Sequence, residues 1–358
     1  MENARAPWLR RWINTAVAAL VIGATATTLG GCASSAPQSG GTQESAQTAV
    51  NAEAALPSWR DGATRKTIIK FVADVTQQGS PTYVPPAERI AVFDNDGTLW
   101  SEQPLYFQFF FLLDQVKAAA PSHPEWKNNP AFKALMANDM AGLMREEKRL
   151  LPLITAANSG MTVDEYDRTI RAWIDTARHP KLNRRYTDLV YQPQLELLSY
   201  LRANGFKTYI VSGGTIEFMR PWTERVYGIP PEQVVGSTQT ITYDVRDGKP
   251  VLMRGPKLDF IDDGPGKPVG IYRQIGRQPI LAVGNSDGDL QMLQYTMAGT
   301  GARLAMLVHH DDAQREFAYD RQSKIGKLDR ALDEATTRGW TVISMQKDWA
   351  QIYPAAKP

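Results

Sequence analysis

Short apolar runs alternate with helical patterns along most of this chain. Ile68, Phe71 and Val75 recur at helical spacing, and a cluster of glycine, serine and proline at positions 79–81 ends that helix. Four runs are short and apolar enough to predict buried strands, at residues 89–93, 207–211, 279–283 and 302–308. Because most of these runs lie beside a helical pattern, the sequence predicts an α/β fold with a doubly wound parallel sheet.

A long insertion, residues 101–205, separates the first predicted strand from the second. Its apolar periodicity predicts helices at 105–119, 131–151, 162–177 and 194–203. The last of these fits a crossover helix of the core, leading into the second strand. We expect the others to form a helical cap.

A second insertion, residues 234–253, alternates like two strands around Asp247-Gly248, a pair typical of hairpin turns. It predicts a small β-hairpin beside the main sheet. The expected domains are therefore a core of residues 59–100 and 206–358 and a mainly helical cap of residues 101–205.

The first 31 residues follow a different pattern. Three arginines precede a stretch of apolar and small residues over positions 12–31, which is typical of a secretory signal peptide. The stretch ends in Leu-Gly-Gly-Cys32, which resembles the lipobox of bacterial lipoproteins. The resemblance implies that Cys32 becomes the lipidated first residue of the mature chain, since acyl chains give membrane affinity without a spanning helix. An uncleaved membrane-spanning helix is the alternative.

Residues 33–58 are rich in Ser, Ala, Gly, Gln and Thr and have no apolar period. We therefore expect residues 32–58 to be a lipidated, flexible tether. The implied location is the bacterial cell envelope, with the exported chain anchored to a membrane on its periplasmic side. The Arg10-Arg11 pair leaves twin-arginine export open.

Composition and charge narrow the function classes. The chain is 43% hydrophobic and 22% charged, which is typical of a globular enzyme. Its net charge of +2 comes from the arginine-rich first 31 residues, and the remainder is neutral. Proteins that bind nucleic acid normally carry a basic excess, so no nucleic-acid partner is expected. Because Cys32 is the single cysteine, any metal is expected to be a hard cation bound by carboxylates.

The first predicted strand is followed by Asp94-Asn95-Asp96-Gly97. Parallel sheets place their sites beyond the carboxyl ends of the strands. Two carboxylates that converge there repel each other unless they share a proton or a cation, and a bound Mg²⁺ removes that cost. An Asp-rich turn is the alternative, because Asp, Asn and Gly also suit turns.

Three further segments lie at the same predicted edge. Ser212 and Gly213 follow the second strand, where a hydroxyl and unhindered N–H groups before a helix favour an anion. Lys267 precedes the helix that leads into the third strand and can neutralise phosphate, with Lys257 as the competing candidate. The acidic loop 285–289 follows the third strand and could complete a metal site.

These four segments resemble the haloacid dehalogenase superfamily of hydrolases over residues 89–310. The residues that match its four motifs are Asp94, Asp96, Thr98, Ser212, Lys267 and Asp289. The helical insertion resembles the cap of phosphoserine-phosphatase-like members. Because the second aspartate of the first motif marks phosphotransferases within the superfamily, Asp96 favours a phosphatase over a dehalogenase.

The resemblance implies a phosphomonoesterase that acts on a small phosphorylated metabolite. Asp94 would attack phosphorus and form an aspartyl-phosphate, and Asp96 would exchange protons with the leaving alcohol and the water. Mg²⁺ would be held by Asp94, Asp289 and the backbone carbonyl of Asp96. The residues implied in binding the substrate phosphate are Thr98, Ser212, Gly213 and Lys267.

The match has one departure. Asn285 stands where the family's fourth motif commonly begins with Asp, so it can orient a metal-bound water but adds no charge. Participation of Asp287 is therefore left open. Glu102, eight residues after Asp94, lies near the place of a substrate-contacting acid in family members.

Three alternatives compete with this interpretation. Gly284, Ser286 and Gly288 match the GxSxG nucleophile elbow, but no acidic residue lies between Asp289 and the later histidines, so the required order of residues fails. The run 309–312, His-His-Asp-Asp, is either a metal cluster or a helix-capping loop. A non-catalytic envelope lipoprotein that keeps the fold as a binding module is the second function, although two adjacent acids are not needed in a scaffold.

Overall fold

The computed structural model describes residues 55–355. The predicted signal peptide, Cys32 and most of the predicted tether lie outside the described residues. The packed chain begins earlier than predicted, because Leu56 is fully buried and the N–H of Ser58 donates to a carboxylate oxygen of Glu196 at 2.8 Å. No helix within residues 55–355 has the length and apolar character needed to cross a membrane.

Seven strands form one sheet in the order β4-β3-β2-β1-β5-β6-β7. The strands are β1 Ile90–Phe93, β2 Lys207–Thr215, β3 Val234–Arg246, β4 Lys249–Phe260, β5 Leu281–Gly284, β6 Leu304–His309 and β7 Thr341–Ser344. All neighbours pair in parallel except β3 and β4. The central strands β1 and β5 are buried along their whole length, as expected where helices cover a parallel sheet. The predicted α/β fold is confirmed, while β7 was not predicted.

Helices fill the connections between these strands. Within the described residues they are α1 Ala63–Thr76, α2 Phe107–Ala119, α3 Pro130–Met136, α4 Met140–Arg145, α5 Glu147–Ala157, α6 Val163–Thr176, α7 Gln192–Ala203, α8 Ile216–Tyr227, α9 Gly266–Gln274, α10 Leu290–Met297, α11 Arg330–Arg338 and α12 Met345–Asp348. As expected, α7 leads directly into β2 and contacts it. The core beside the sheet is built from aliphatic side chains of β1, β5, β6, α10 and α11.

The helical insertion contains α2 to α6. The single helix predicted over 131–151 is wrong, because the chain there forms three helices, α3 to α5. Asn138 takes a left-handed φ of 53°, which interrupts the helical hydrogen bonds. Asp139 then caps the next helix by accepting from the N–H of Gly142 at 2.8 Å.

The predicted hairpin is present, and its turn residues Asp247 and Gly248 both have positive φ, at 50° and 73°, as a tight hairpin turn requires. It differs from the prediction in two ways. Its second strand continues to Phe260, and its first strand begins within the main sheet, where residues 234–237 pair in parallel with β2. The hairpin is therefore an extension of the sheet and not a separate element beside it.

Candidate active site

The carboxyl ends of β1, β2 and β5 lie side by side. The N–H of Asp94, immediately after β1, donates to the carbonyl of Val283 in β5 at 2.9 Å. In the register of the sheet Phe93 pairs with Ile210 of β2 and with Val283. The segments that begin with Asp94, Ser212 and Asn285 are thus brought to one edge. This agrees with the strand-end rule, that parallel sheets place their sites beyond the carboxyl ends of the strands.

Lys267 joins two of these segments. Its ammonium group is buried and donates to Asp94 Oδ1 at 2.7 Å, to Asp289 Oδ1 at 2.5 Å and to the carbonyl of Val211 at 2.9 Å. These three acceptors use all the donors of an ammonium group. The structure therefore brings Asp94, Lys267 and Asp289 together, whereas the competing Lys257 is exposed on β4.

Asp289 is also bonded within its own loop. Its Oδ2 accepts from the N–H groups of Asn285 at 2.9 Å and Ser286 at 3.0 Å. A Cβ at Gly284 would overlap the side chain of Asp289, so the loop can close only with glycine at that position. With both carboxylate oxygens engaged, Asp289 acts here as the counter-ion of Lys267 and as a brace of the loop. Its direct contact with a metal stays a prediction.

A second set of contacts surrounds Asn285. The hydroxyl of Thr98 donates to Asn285 Oδ1 at 3.0 Å, and Asn285 Nδ2 donates to Glu102 Oε1 at 2.7 Å. The hydroxyl of Tyr319 donates to the same Oε1 at 2.8 Å. Glu102 is only 1% exposed, and its contact with Asn285 makes it part of the site. Thr98, expected at the phosphate, directs its hydroxyl toward Asn285.

The turn after β1 packs closely against the side chain of Asn285. Gly97 has a φ of 75°, and a Cβ there would overlap the side-chain amide of Asn285. The carbonyl of Gly97 accepts from His310 Nε2 at 2.8 Å, and Asp96 Oδ1 accepts from Trp100 Nε1 at 2.8 Å. Asp96 thus lies beside Asp94 with a fixed orientation.

Burial shifts the protonation of this site. Burial raises the pKa of Asp94, with a further contribution from the charge of Asp289, and Lys267 offsets only part of it. Burial raises the pKa of Asp96 to about 6, and burial followed by the charge of Asp96 raises that of Glu102 well above its usual range. Burial would lower the pKa of Lys267, but the carboxylates of Asp289 and Asp94 outweigh it and raise that pKa. The buried carboxyls therefore outnumber their ammonium partner.

The donor set fits a hard cation in chemistry and charge. Asp94 Oδ2 has no hydrogen-bond partner among residues 55–355, and oxygens of Asp96 and Asn285 lie at the same edge of the sheet. A divalent cation prefers such oxygens and would offset the excess of carboxyls. Nevertheless, no three His, Cys, Asp or Glu side chains in the described part of the chain already surround a metal position.

The predicted anion site lies at the end of β2. Ser212 is buried, and its Oγ accepts from the N–H of Gly214 at 3.1 Å. The carbonyl of Gly213 accepts from the hydroxyl of Ser237 at 2.8 Å, which fixes the peptide orientation in this segment. The strand continues to Thr215, and α8 begins at the next residue.

The helical insertion contacts this segment through one side chain. Gln108 of α2 donates from Nε2 to the hydroxyl of Thr215 at 2.9 Å and accepts the N–H of Thr215 on Oε1 at 3.0 Å. The insertion therefore touches the core beside the predicted anion site. Nothing in the sequence pattern singled out Gln108, because the contact joins residues that are 107 positions apart.

Two residues of this edge, Tyr319 and Asp262, were not predicted to belong to the site. His310, which follows β6, was predicted only as part of the His-His-Asp-Asp run with its two alternatives, whereas Tyr319 comes from an irregular loop that carries no sequence signal. Asp262 is fully buried, and neither of its carboxylate oxygens has a hydrogen-bond partner in the described structure. Burial raises its pKa to about 8.

The structure bears on two alternatives that the sequence leaves open, the participation of Asp287 and the role of the His-His-Asp-Asp run. Asp287 Oδ1 accepts from the N–H groups of Asp329 and Ala331, both at 3.0 Å, so its side chain is directed toward α11 and not toward Asp94. Asp311, in the His-His-Asp-Asp run, accepts from the N–H of Gln346 at 2.8 Å near the start of α12. That contact fits the helix-capping alternative.

Comparison with known proteins identifies the family. Residues 91–294, more than half of the chain, match the haloacid dehalogenase-like hydrolases. No match was found among curated protein sequences.

Several solved structures are similar in fold. A functionally unknown protein from Anaerococcus prevotii is 17% identical, with 81% of this chain and 94% of that one covered, and a TM-score of 0.46. A protein of unknown function from Bordetella pertussis is 15% identical, with 72% and 98% covered and a TM-score of 0.43. A phosphoserine phosphohydrolase-like protein from Francisella tularensis is 16% identical, with 70% and 99% covered and a TM-score of 0.36.

The family is identified by the sequence match over residues 91–294. That match includes Asp94, Ser212, Lys267 and Asp289, whose contacts are described above. The predicted relationship is confirmed, and the chain belongs to the haloacid dehalogenase-like hydrolases.

Proposed function

We propose that this chain is a Mg²⁺-dependent phosphomonoester hydrolase that acts through an aspartyl-phosphate on a small phosphorylated metabolite. Membership of the family supports a phosphoester hydrolase. The observation that carries the finer proposal is the contact of one buried ammonium, Lys267 Nζ, with Asp94 Oδ1 and Asp289 Oδ1. It leaves the second oxygen of Asp94 as the nucleophile at the carboxyl edge of the sheet.

The first step is an in-line attack of Asp94 Oδ2 on phosphorus. A bond forms between that oxygen and phosphorus, and the bond from phosphorus to the ester oxygen breaks. Lys267 holds the other oxygen of Asp94 at 2.7 Å and so orients the nucleophile. Since its charge opposes part of the effect of burial, it also favours the ionised form.

Asp96 is the proton carrier in both steps. Its pKa, raised by burial to about 6, lies near neutral pH, where a carboxyl can both give and take a proton. It protonates the leaving alkoxide and then takes a proton from the water that attacks the aspartyl-phosphate. In that second step the bond from phosphorus to Asp94 Oδ2 breaks, which frees the carboxylate and releases inorganic phosphate. The bond from Trp100 Nε1 to Asp96 Oδ1 orients the carboxyl group of Asp96 and leaves its Oδ2 for this exchange.

The end of β2 binds the phosphoryl oxygens, and the charge of the nearby Lys267 ammonium favours their negative charge without a further hydrogen bond. The Ser212 hydroxyl and the N–H groups near Gly213 lie at the strand end next to Asp94. Asp94, the carbonyl of Asp96 and Asp289, together with the amide oxygen of Asn285, would hold a Mg²⁺ ion, which would supply additional positive charge to the transferring group. These residues present the oxygen donors that such an ion prefers.

The proposal includes a location. The basic and apolar first 31 residues and the lipobox-like sequence ending in Cys32 support export and a lipid anchor in the bacterial envelope. The substrate would then be a phosphomonoester on the periplasmic side.

Hydrolysis of p-nitrophenyl phosphate with and without Mg²⁺ tests the activity. Asp94→Asn keeps the shape of the side chain but removes the nucleophile, so we expect at least about a thousandfold loss of kcat/KM. Asp259→Asn removes an exposed carboxylate of β4 and serves as the matched control, with an unchanged rate. Equal rates for the wild type and Asp94→Asn would instead indicate a non-catalytic binding module.

A further inference from the structure

The side chain of Asn285 is held in one orientation by two neighbours of opposite hydrogen-bonding character. Thr98 Oγ1 lies 3.0 Å from Asn285 Oδ1, and Glu102 Oε1 lies 2.7 Å from Asn285 Nδ2. Because a carboxylate only accepts, the amide nitrogen must face Glu102 and the amide oxygen must face away from it. One lone pair of Oδ1 is used by Thr98, and the other is left for a further partner.

Glu102 is the nearest negative charge to that amide. It is almost completely buried, and the hydrogen bonds from Asn285 and Tyr319 both fall on its Oε1. Its Oε2 accepts no hydrogen bond within residues 55–355. A buried carboxyl group with one unused oxygen, in a region where carboxyls outnumber ammonium groups, ionises only at a cost in free energy unless positive charge approaches it.

We propose that Glu102 and Asn285 act as one unit toward the divalent cation, with Glu102 supplying the negative charge and Asn285 the oriented amide oxygen. This rests on the cation dependence in the proposed function. Glu102 contacts the nitrogen of the Asn285 amide and so fixes where its oxygen points, which makes Glu102 a positioning residue for cation binding. A buried carboxylate at position 102 then takes the place of one at position 285.

Exchange of the carboxylate at position 102 with the amide at position 285 tests this directly. Glu102→Gln keeps an oxygen for Asn285 and Tyr319 but removes the charge. The double variant Glu102→Gln with Asn285→Asp exchanges the two chemistries, since the glutamine amide can donate to the new carboxylate. Asp287→Asn is the control, because it removes a carboxylate from the same loop whose contacts are directed to Asp329 and Ala331.

The measurement is the Kd of Mn²⁺, determined by calorimetry on the whole folded chain without substrate. We expect Glu102→Gln to weaken binding about ten- to hundredfold, as loss of a residue that orients a metal ligand does. The double variant recovers most of that affinity, and Asp287→Asn binds like the wild type. Asn285→Asp alone binds more tightly than the wild type, since it adds a second carboxylate.

Unchanged Mn²⁺ affinity in folded Glu102→Gln would overturn the inference, particularly if its KM for a phosphomonoester rose, because Glu102 would then contact substrate. Failure of a folded double variant to recover affinity would overturn it too. If Glu102→Gln does not fold, Asn285→Asp decides, and equal affinity to the wild type is the contrary result. A wild type that binds no Mn²⁺ would also refute the inference. The proposed hydrolase activity is tested separately, by comparing the hydrolysis rates of the wild type and Asp94→Asn.

Discussion

Two groups of side chains flank the end of β1, and they balance charge in different ways. The Lys267 side consists of Asp94, Lys267 and Asp289, and the Asn285 side consists of Thr98, Asn285, Glu102 and Tyr319. On the Lys267 side a buried ammonium contacts two carboxylates at 2.7 and 2.5 Å. On the Asn285 side a buried carboxylate contacts only neutral donors among the described residues.

The difference shows which part of the site the chain completes by itself. Burying an ion pair costs desolvation energy, and close contacts together with additional hydrogen bonds offset that cost. Lys267 has both, including its bond to the carbonyl of Val211. Glu102 has hydrogen bonds but no counter-charge among its bonded partners, so the Asn285 side is the one that an added cation would stabilise.

Removal of the shared ammonium is expected to have the largest effect. Lys267→Met leaves Asp94 and Asp289 buried without their counter-ion, which costs about 3–5 kcal/mol of unfolding free energy. Urea unfolding at neutral pH measures this loss, and p-nitrophenyl phosphate hydrolysis should be lost with it. Lys257→Met, on the exposed face of β4, should change stability by less than about 0.5 kcal/mol. Equal free energies of unfolding for the two variants would mean that the buried contacts of Lys267 do not stabilise the fold.

Asp262 should make the free energy of unfolding depend on pH, because it is a buried carboxyl group without a hydrogen-bond partner in the described structure. Burial raises its folded-state pKa to about 8 from a usual value of 3.8. The native state therefore retains a proton that the unfolded chain releases, and stability falls as pH rises between these two values.

Asp262→Asn abolishes this dependence. Its gain in unfolding free energy over the wild type should grow by at most about 1.4 kcal/mol per pH unit up to about pH 8 and then stay level. Urea unfolding of both proteins at pH 5, 7 and 9 measures the difference. A constant difference across that range would show that Asp262 ionises normally in the folded protein.

The smallest effect is expected from a single neutral donor. Tyr319→Phe removes one hydrogen bond to Glu102 and should cost about 1–3 kcal/mol of unfolding free energy, below the loss for Lys267→Met. Tyr243→Phe, at a side chain that is 70% exposed, is the control and should unfold like the wild type. A loss as large as that of Lys267→Met would indicate that the two sides are equally dependent on one contact.

The parts of the fold and site that depend on apolar runs and on the ends of the strands could be predicted from the sequence. Apolar runs in the sequence predict β1, β2, β5 and β6, and the position of sites at the carboxyl ends of parallel strands predicts that Asp94, Lys267 and Asp289 lie together. The strand-end rule specifies an edge but not side-chain directions, so it could not show that Thr98 faces Asn285 or that Asp289 bonds its own loop. Strand β7 was missed because it is short and only partly buried.

Other features depend on contacts between distant residues. The break within residues 131–151 follows from the left-handed backbone of Asn138, which apolar periodicity does not report. Glu102 was predicted only as a candidate for a substrate-contacting acid, because its place is fixed by Tyr319, 217 positions away. Asp262 carries no motif, and its importance comes solely from burial.

The hairpin that extends from the sheet has a mechanical consequence. Besides its two covalent connections and the contact of Gln108 with Thr215, the helical insertion is attached to the hairpin, since the N–H of Arg254 in β4 donates to the carbonyl of Met161 at 3.2 Å. The guanidinium of the same residue lies 3.2 Å from the ring centre of Tyr166 in α6. Rotation of the helices away from Asp94 would have to break both contacts, so the hairpin opposes such a movement in addition to the two covalent connections.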